Sequence, residues 1–324
     1  MPTFAEKYGR QAQPAPPAVS SFAAKYGRGA PVAPVDDGEA GFWDRLKDTG
    51  VDAAKGVVGL GESAVGTLDL VSGNLIGKGL ARIGYNPQRT RQILESGYSA
   101  ERQTENEEVR AAEGFLDTIV ASIQNPSVIV GTIIESSPML LMSAGAVRAA
   151  ATNMLAKKGL VDAAGKYISA EAATAGRELL KSAPVRTNLA TIGAASEGIM
   201  GAGSNQEQAR QAGRDFAQSA PFSVAAGVGT GVIGRLASRI PGLGDLETAV
   251  GTAGMGAGSA LSIGKRIAAG MFQEGFLEEM PQSAQEQIFN NLALGNEWSE
   301  GVPEAAGTGL LAGAGMGGGF SAFQ

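Results

Sequence analysis

The sequence predicts an all-α protein: Gly/Ala-rich helices with short loops, a disordered Pro-rich N-terminal arm and essentially no sheet. Three observations carry this. Apolar and small residues recur at spacings of 3 and 4, the period of a helix face. No stretch alternates with period 2 between turn residues. Asn-Pro and Ser-Pro steps divide the chain where one helix ends and the next begins. Hydrophobic residues make up 44% of the 324-residue chain but aromatics only 6%. The interior is therefore built from small aliphatics and depends on close packing. The 48 glycines each weaken a helix interior by about 1 kcal/mol relative to Ala, so helices that carry them need contacts in return.

The elements are read in order within three divisions. Residues 1–41 form the arm, with Pro14, Pro16, Pro17, Pro31 and Pro34 and too little aliphatic bulk to offset ordering entropy. It holds a duplication: Phe4-Ala5-Glu6-Lys7-Tyr8-Gly9-Arg10 returns 18 residues later as Phe22-Ala23-Ala24-Lys25-Tyr26-Gly27-Arg28. Two such copies suit a docking motif that gains avidity, with Phe4, Lys7, Tyr8, Phe22, Lys25 and Tyr26 as its contact residues. A helical domain is expected over 42–125, starting at Gly41-Phe42-Trp43 and pausing at Asn86-Pro87. Thr104-Glu105-Asn106-Glu107 reads as a capping box opening a helix whose seam is Val109, Ala112, Leu116, Ile119 and Ile123. Asn125-Pro126 ends that helix and starts the next. The third division, 126–324, is a Gly/Ala-rich, membrane-competent or oligomerising domain. Ser137-Pro138 is expected to restart a helix towards Gly159, with further helices over 169–182, 187–203 and 205–217.

The most distinctive pattern is small residues four apart inside uncharged stretches. Ala305, Gly309, Gly313 and Gly317 lie in an uncharged tail of 20 residues; Gly227 with Gly231, Gly254 with Gly258, and Gly73 with Gly77 and Ala81 repeat it upstream. Such stripes let two helix backbones approach, which matters most where hydrophobic exclusion cannot hold helices together, as in a bilayer. Residues 216–234 are 19 without a charge and 248–264 are 17, and between Asp117 and Arg148 the only charge is Glu135. Those lengths approach what a hydrocarbon core requires. The mean hydropathy of the whole chain is only +0.01, which points to buried soluble helices or conditional insertion over permanent spanning.

Composition removes several chemistries. There is no Cys and no His, so disulfides, thiolate nucleophiles, imidazole acid–base steps and the usual zinc sites are excluded. A net charge of −6 is the wrong sign for gripping phosphate. Three decoys remain. Gly73 through Gly79, and Gly258 through Arg266, imitate a phosphate loop with the wrong gap and no Ser or Thr after the lysine. Glu135 with Ser136, Ser137 and Ser143 resembles the first motif of lytic transglycosylases, but their later motifs do not follow. Glu274, Glu278, Gln282 and Glu286 share a helix face, read as a solvated or inter-subunit polar face opposite Phe272, Phe276, Met280 and Ile288. No catalytic residue, cofactor or metal is expected.

Glu278-Glu279-Met280-Pro281-Gln282-Ser283-Ala284-Gln285-Glu286-Gln287, continuing through Asn291-Leu292-Ala293-Leu294-Gly295 into the glycine-rich tail, resembles the helical parts of very large tailed-phage virion proteins. Asn125-Pro126 with Glu135-Ser136-Ser137-Pro138-Met139, and Ala195-Ser196-Glu197-Gly198, are further matching blocks. The resemblance implies an internal virion or ejection protein. Such a protein would sit in the capsid interior, pass to the host envelope and oligomerise there into a channel for the genome. Its partners would be itself, other virion proteins, host lipid and DNA passing without specific binding. The resemblance also implies that the chain is the N-terminal part of something longer. A peptidoglycan-cleaving module, a pore-forming toxin and a soluble scaffold are the alternatives.

Overall fold

The computed structural model describes residues 39–237 and 271–323. Among them are eleven α-helices, one π-wound segment and no sheet. They are α1 (Glu39–Ser72), α2 (Leu75–Arg82), α3 (Pro87–Glu95), α4 (Ala100–Arg110), α5 (Phe115–Gln124), α6 (Pro126–Lys157), α7 (Ala170–Lys181), α8 (Ala183–Gln211), α9 (Phe216–Ala237), α10 (Met280–Leu294) and α11 (Val302–Phe323). The π-wound turns over Met271–Glu279 lead directly into α10. Packing separates Met1–Phe42 from a second unit, Trp43–Gln324, which holds the site considered below.

Local chemistry explains most boundaries. Asn86, Ser99 and Ser169 cap α3, α4 and α7 by accepting a hydrogen bond from the backbone N–H three residues on. Asn125-Pro126 joins α5 to α6, as expected from the sequence. Four expectations change. The capping residue of α4 is Ser99, and Thr104 lies inside the helix, donating its hydroxyl to the Ala100 carbonyl. The seam from Val109 to Ile123 is broken into α4 and α5, because Gly114 adopts φ +86° and its N–H is taken by the Glu304 carboxylate. Ser137-Pro138 does not restart a helix: α6 runs through it. Pro138 forfeits one ladder bond, but its ring sits where the missing side chain of Gly56 leaves room. The helices expected over 187–203 and 205–217 are one helix, α8, ended by Gly213 at φ +74°.

One region is a conventional apolar core. Val147, Ala151, Leu155, Val161, Leu180 and Leu189 are buried together where the end of α6, α7 and the start of α8 meet. Elsewhere the helices meet through glycine. In α8 and α9, a Cβ on Gly198 would collide with the Gly227 carbonyl oxygen, and a Cβ on Gly227 with that of Gly198. Gly66 of α1 and Gly203 of α8 approach in the same way, the first against the Gly203 carbonyl and the second against that of Ser63. On α11, Gly313 faces the Glu274 carbonyl, while Gly275 in the π-wound turns faces Leu310.

These contacts give a paired prediction for urea denaturation. Gly227→Ala lowers stability by about 1–3 kcal/mol through overpacking. Gly50→Ala, in the open on α1 with no atom within 4 Å of the added carbon, raises it by roughly 0.5–1 kcal/mol. Equal effects at the two positions would contradict the packing.

Candidate functional site

Away from the apolar core the interior mixes small and polar residues, with a second, smaller apolar contact of Leu140, Met316 and Ile133. In α9 the buried positions are Ser219, Ser223, Ala226, Gly227, Thr230, Gly234 and Ala237. The large side chains of the same helix face outward: Val224, Val228, Val232 and Leu236 are 48–60% exposed. They line an outer groove with Ile199 and Ala202 of α8. The segment leading into α10 repeats the inversion. Glu274, Glu278 and Gln282 are buried, whereas Phe272 and Phe276 are 54% and 49% exposed and stack on each other. This corrects the expected solvated acidic face. Its carboxylates point inward because the neighbouring helices offer polar partners and glycine gaps there.

Those gaps are the second use of glycine. A Cβ on Gly234 would lie 2.8 Å from the Glu278 carboxylate and one on Gly201 3.0 Å from that of Glu286. A Cβ on Gly229 would strike the Gln285 amide, one on Gly131 the Arg102 guanidinium, and one on Gly77 the Asp69 carboxylate and Arg210. Absent side chains thus become berths for charged and amide groups.

Three hydrogen-bonded clusters fill these spaces. In the first, Arg91 bridges Glu62 and Glu135 at 2.7 Å each, and Lys55 joins Glu135 to Glu95 at 3.1 and 3.3 Å. Beside it Tyr98 donates to Asp52 at 2.5 Å and Arg102 approaches the same oxygen at 3.4 Å. Burial pushes the Asp52 carboxyl up against the opposing pull of Tyr98 and Arg102. Burial and the Asp52 charge push the Tyr98 hydroxyl up as well. In the second cluster, Arg210 holds Glu207 at 2.5 Å and Asp69 at 3.4 Å. Gln206 donates to Asn74 and Ser219 in the same space, and burial with the Glu207 charge pushes the nearby Tyr85 hydroxyl up to about 12. In the third, Thr230 donates to Glu286 at 2.7 Å and accepts from Gln285 at 2.9 Å. Burial holds the Glu286 carboxyl above its ordinary 4.5, outweighing the Thr230 hydrogen bond. A cavity of about 570 Å³ opens beside this third cluster, bounded by α6, α8, α10 and α11.

The structure distributes the sequence-derived residues unevenly. Gly227 and Gly231 make close helix contacts, a Cβ on Gly231 falling 3.2 Å from the Ala194 carbonyl oxygen, and so do Gly309 and Gly313. Gly317 is buried on α11. Gly73 instead ends α1 at φ +67° with nothing near it, and Gly77 serves the Asp69–Arg210 pair. Gly254, Gly258 and the motif residues Phe4, Lys7, Tyr8, Phe22, Lys25 and Tyr26 lie outside the described residues. Gly66, Gly198, Gly203 and Gly275 were not singled out, though Ala194, Gly198 and Ala202 are spaced by four like the rest. Lys55, Arg91 and Glu135 pair across position 125, so the helices on either side of that expected boundary are tied together. Among the described residues, no three His, Cys, Asp or Glu side chains converge as metal ligands. No family model, curated protein or solved structure matches this chain.

Glu135 carries a cation on each of its two oxygens. A carboxyl acting as general acid needs the opposite, an apolar setting that keeps its proton. Zymography on peptidoglycan is therefore expected to give no clearing with wild type or Glu135→Gln, and clearing by wild type alone would restore the catalytic reading. Glu286 gives a pH prediction. Its raised folded pKa means that the unfolded chain gives up this proton first, so stability falls as pH rises above about 4.5. Glu286→Gln, which still accepts from Thr230, raises the urea midpoint at pH 7 and leaves it unchanged at pH well below 4.5. A pH-independent difference would contradict this.

Proposed function

We propose that this chain is a structural subunit of a phage ejection apparatus, a virion protein that assembles at the host envelope into a passage for the genome. The observation that carries the reading is the reversed polarity of α9. Helices of a water-soluble bundle turn apolar residues in and polar ones out. Here Ser219, Ser223 and Thr230 are inside while Val224, Val228, Val232 and Leu236 face out. Among the described residues two helices are long and apolar enough to cross a membrane: α6, with mean hydropathy 1.5 over its most apolar window, and α9, with 1.2. Only 22% and 33% of those windows is buried within the chain, unlike core helices of the same composition. At 1.5 Å per residue, the 22 residues of α9 extend about 33 Å, the order of a hydrocarbon core.

Other features agree with such a role. A chain without cysteine has no staple to prevent it from unfolding to leave a capsid. Glycine-to-backbone contacts hold helices together without water's help, so the same packing serves in lipid. Further copies of the chain, other virion proteins and lipid are the partners. The net charge of −6 favours DNA that slides past over DNA that is held. The phage assignment rests on the sequence resemblance.

Release of an entrapped dye from liposomes, with electron microscopy of detergent-solubilised particles, tests the proposal. Release with rings or tubes is expected, and both are lost when Gly309, Gly313 and Gly317 are replaced together by leucine. A monodisperse monomer that releases no dye would overturn the reading in favour of a soluble scaffold.

A further inference from the structure

We propose that the cavity bounded by α6, α8, α10 and α11 binds a linear alkyl polyamine, with the Glu286 carboxylate receiving one of its ammonium groups. Its volume, about 570 Å³, lies within the range of small-molecule sites. The ionisable residues of its wall are Glu197, Glu279 and Glu286, with no lysine or arginine among the lining side chains. Glu197 and Glu279 have interactions of their own within the fold. Among the described residues, the Glu286 carboxylate takes a hydrogen bond only from the Thr230 hydroxyl. Burial holds its pKa above 4.5, as befits a carboxylate with no cation paired to it among the described residues.

An acceptor without a donor supplies a separate observation. Gln282 lines the cavity and is only 6% exposed. Its Nε2 reaches the Thr230 carbonyl at 3.5 Å. Asn290, also in the wall, has a buried Oδ1 without a donor. A buried acceptor left unpaired is costly, and a ligand rich in N–H groups relieves it. A metal ion fits less well, because no three acidic side chains converge among the described residues. Separated acceptors suit separated ammonium groups, and the methylenes between those groups have Met139, Leu140, Met200 and Met316 to lie against. The inference concerns the inside of one chain and stands whether or not copies assemble in a membrane.

Isothermal titration of the full chain with spermidine reads the site directly. Saturable binding at one site is expected, with magnesium at matched ionic strength failing to displace the amine. Glu286→Gln weakens binding at least tenfold, about 1.4 kcal/mol, while Gln282→Glu, which adds a carboxylate, tightens it. No saturable heat from wild type, equal displacement by magnesium, or unchanged affinity in Glu286→Gln overturns the proposal. Should Glu286→Gln fail to fold, the opposite-signed variant decides: tighter binding by Gln282→Glu supports the site, and unchanged binding overturns it.

Discussion

Backbone contact at glycine is the constraint on which this architecture depends. Where Gly198 meets Gly227, and Gly66 meets Gly203, the carbonyl of one helix occupies the place of a side chain on the other. Helices this close leave little volume between them. Ser, Thr, Ala and Gly fit in that volume, and Val, Leu and Phe do not. The inner face of α9 accordingly holds Ser219, Ser223, Ala226 and Thr230, and the outer face holds the valines. Reversed polarity is thus a consequence of packing distance. The energy of such an interface comes from dispersion between closely packed atoms and from satisfied hydrogen bonds, and less from the removal of apolar area from water.

Glycine also determines where charge is buried. Paired charges inside a protein are weak contributors to stability, because desolvation offsets much of their attraction, but losing one partner is expensive. Arg91 between Glu62 and Glu135, and Arg210 between Glu207 and Asp69, therefore specify one arrangement of the helices more than they strengthen it. Arg91 with its two carboxylates and Arg210 with Asp69 join segments far apart in the chain, while Glu207 holds Arg210 from the same helix. A helix rotated by one position would leave a carboxylate facing a neighbour's backbone with no cation. Specificity that most cores obtain from large interlocking side chains is here obtained from charge fitted into glycine gaps.

The all-α class, the Asn125-Pro126 junction, the extent of α7 and the small-residue stripes of α9 and α11 were legible in the sequence, because they depend on local spacing and capping. The sidedness of the helices was not. Reading Glu274, Glu278, Gln282 and Glu286 as an outer face assumes that carboxylates seek water. Which face turns inward depends instead on partners such as Thr230 and gaps such as Gly234, contributed by α9. Pro138 could not be read as a mid-helix residue without knowing that Gly56 lies across from it. Gly73 and Gly77 share the spacing of packing glycines, yet a left-handed φ gives the first a turn and the Asp69–Arg210 pair claims the second. The cavity was invisible for the same reason, since its walls come from four helices.

The chain has no cysteine, so single cysteines can be placed anywhere in it without background, and α9 offers two opposite faces for comparison. An environment-sensitive fluorophore at position 224, 228 or 232, and separately at 219, 223 or 230, measured in bilayers containing lipids with nitroxide-labelled chains, tests the central claim most directly. The account predicts quenching at the valine positions and little at the serine and threonine positions. Quenching confined to the second set, or equal on both faces, would contradict it.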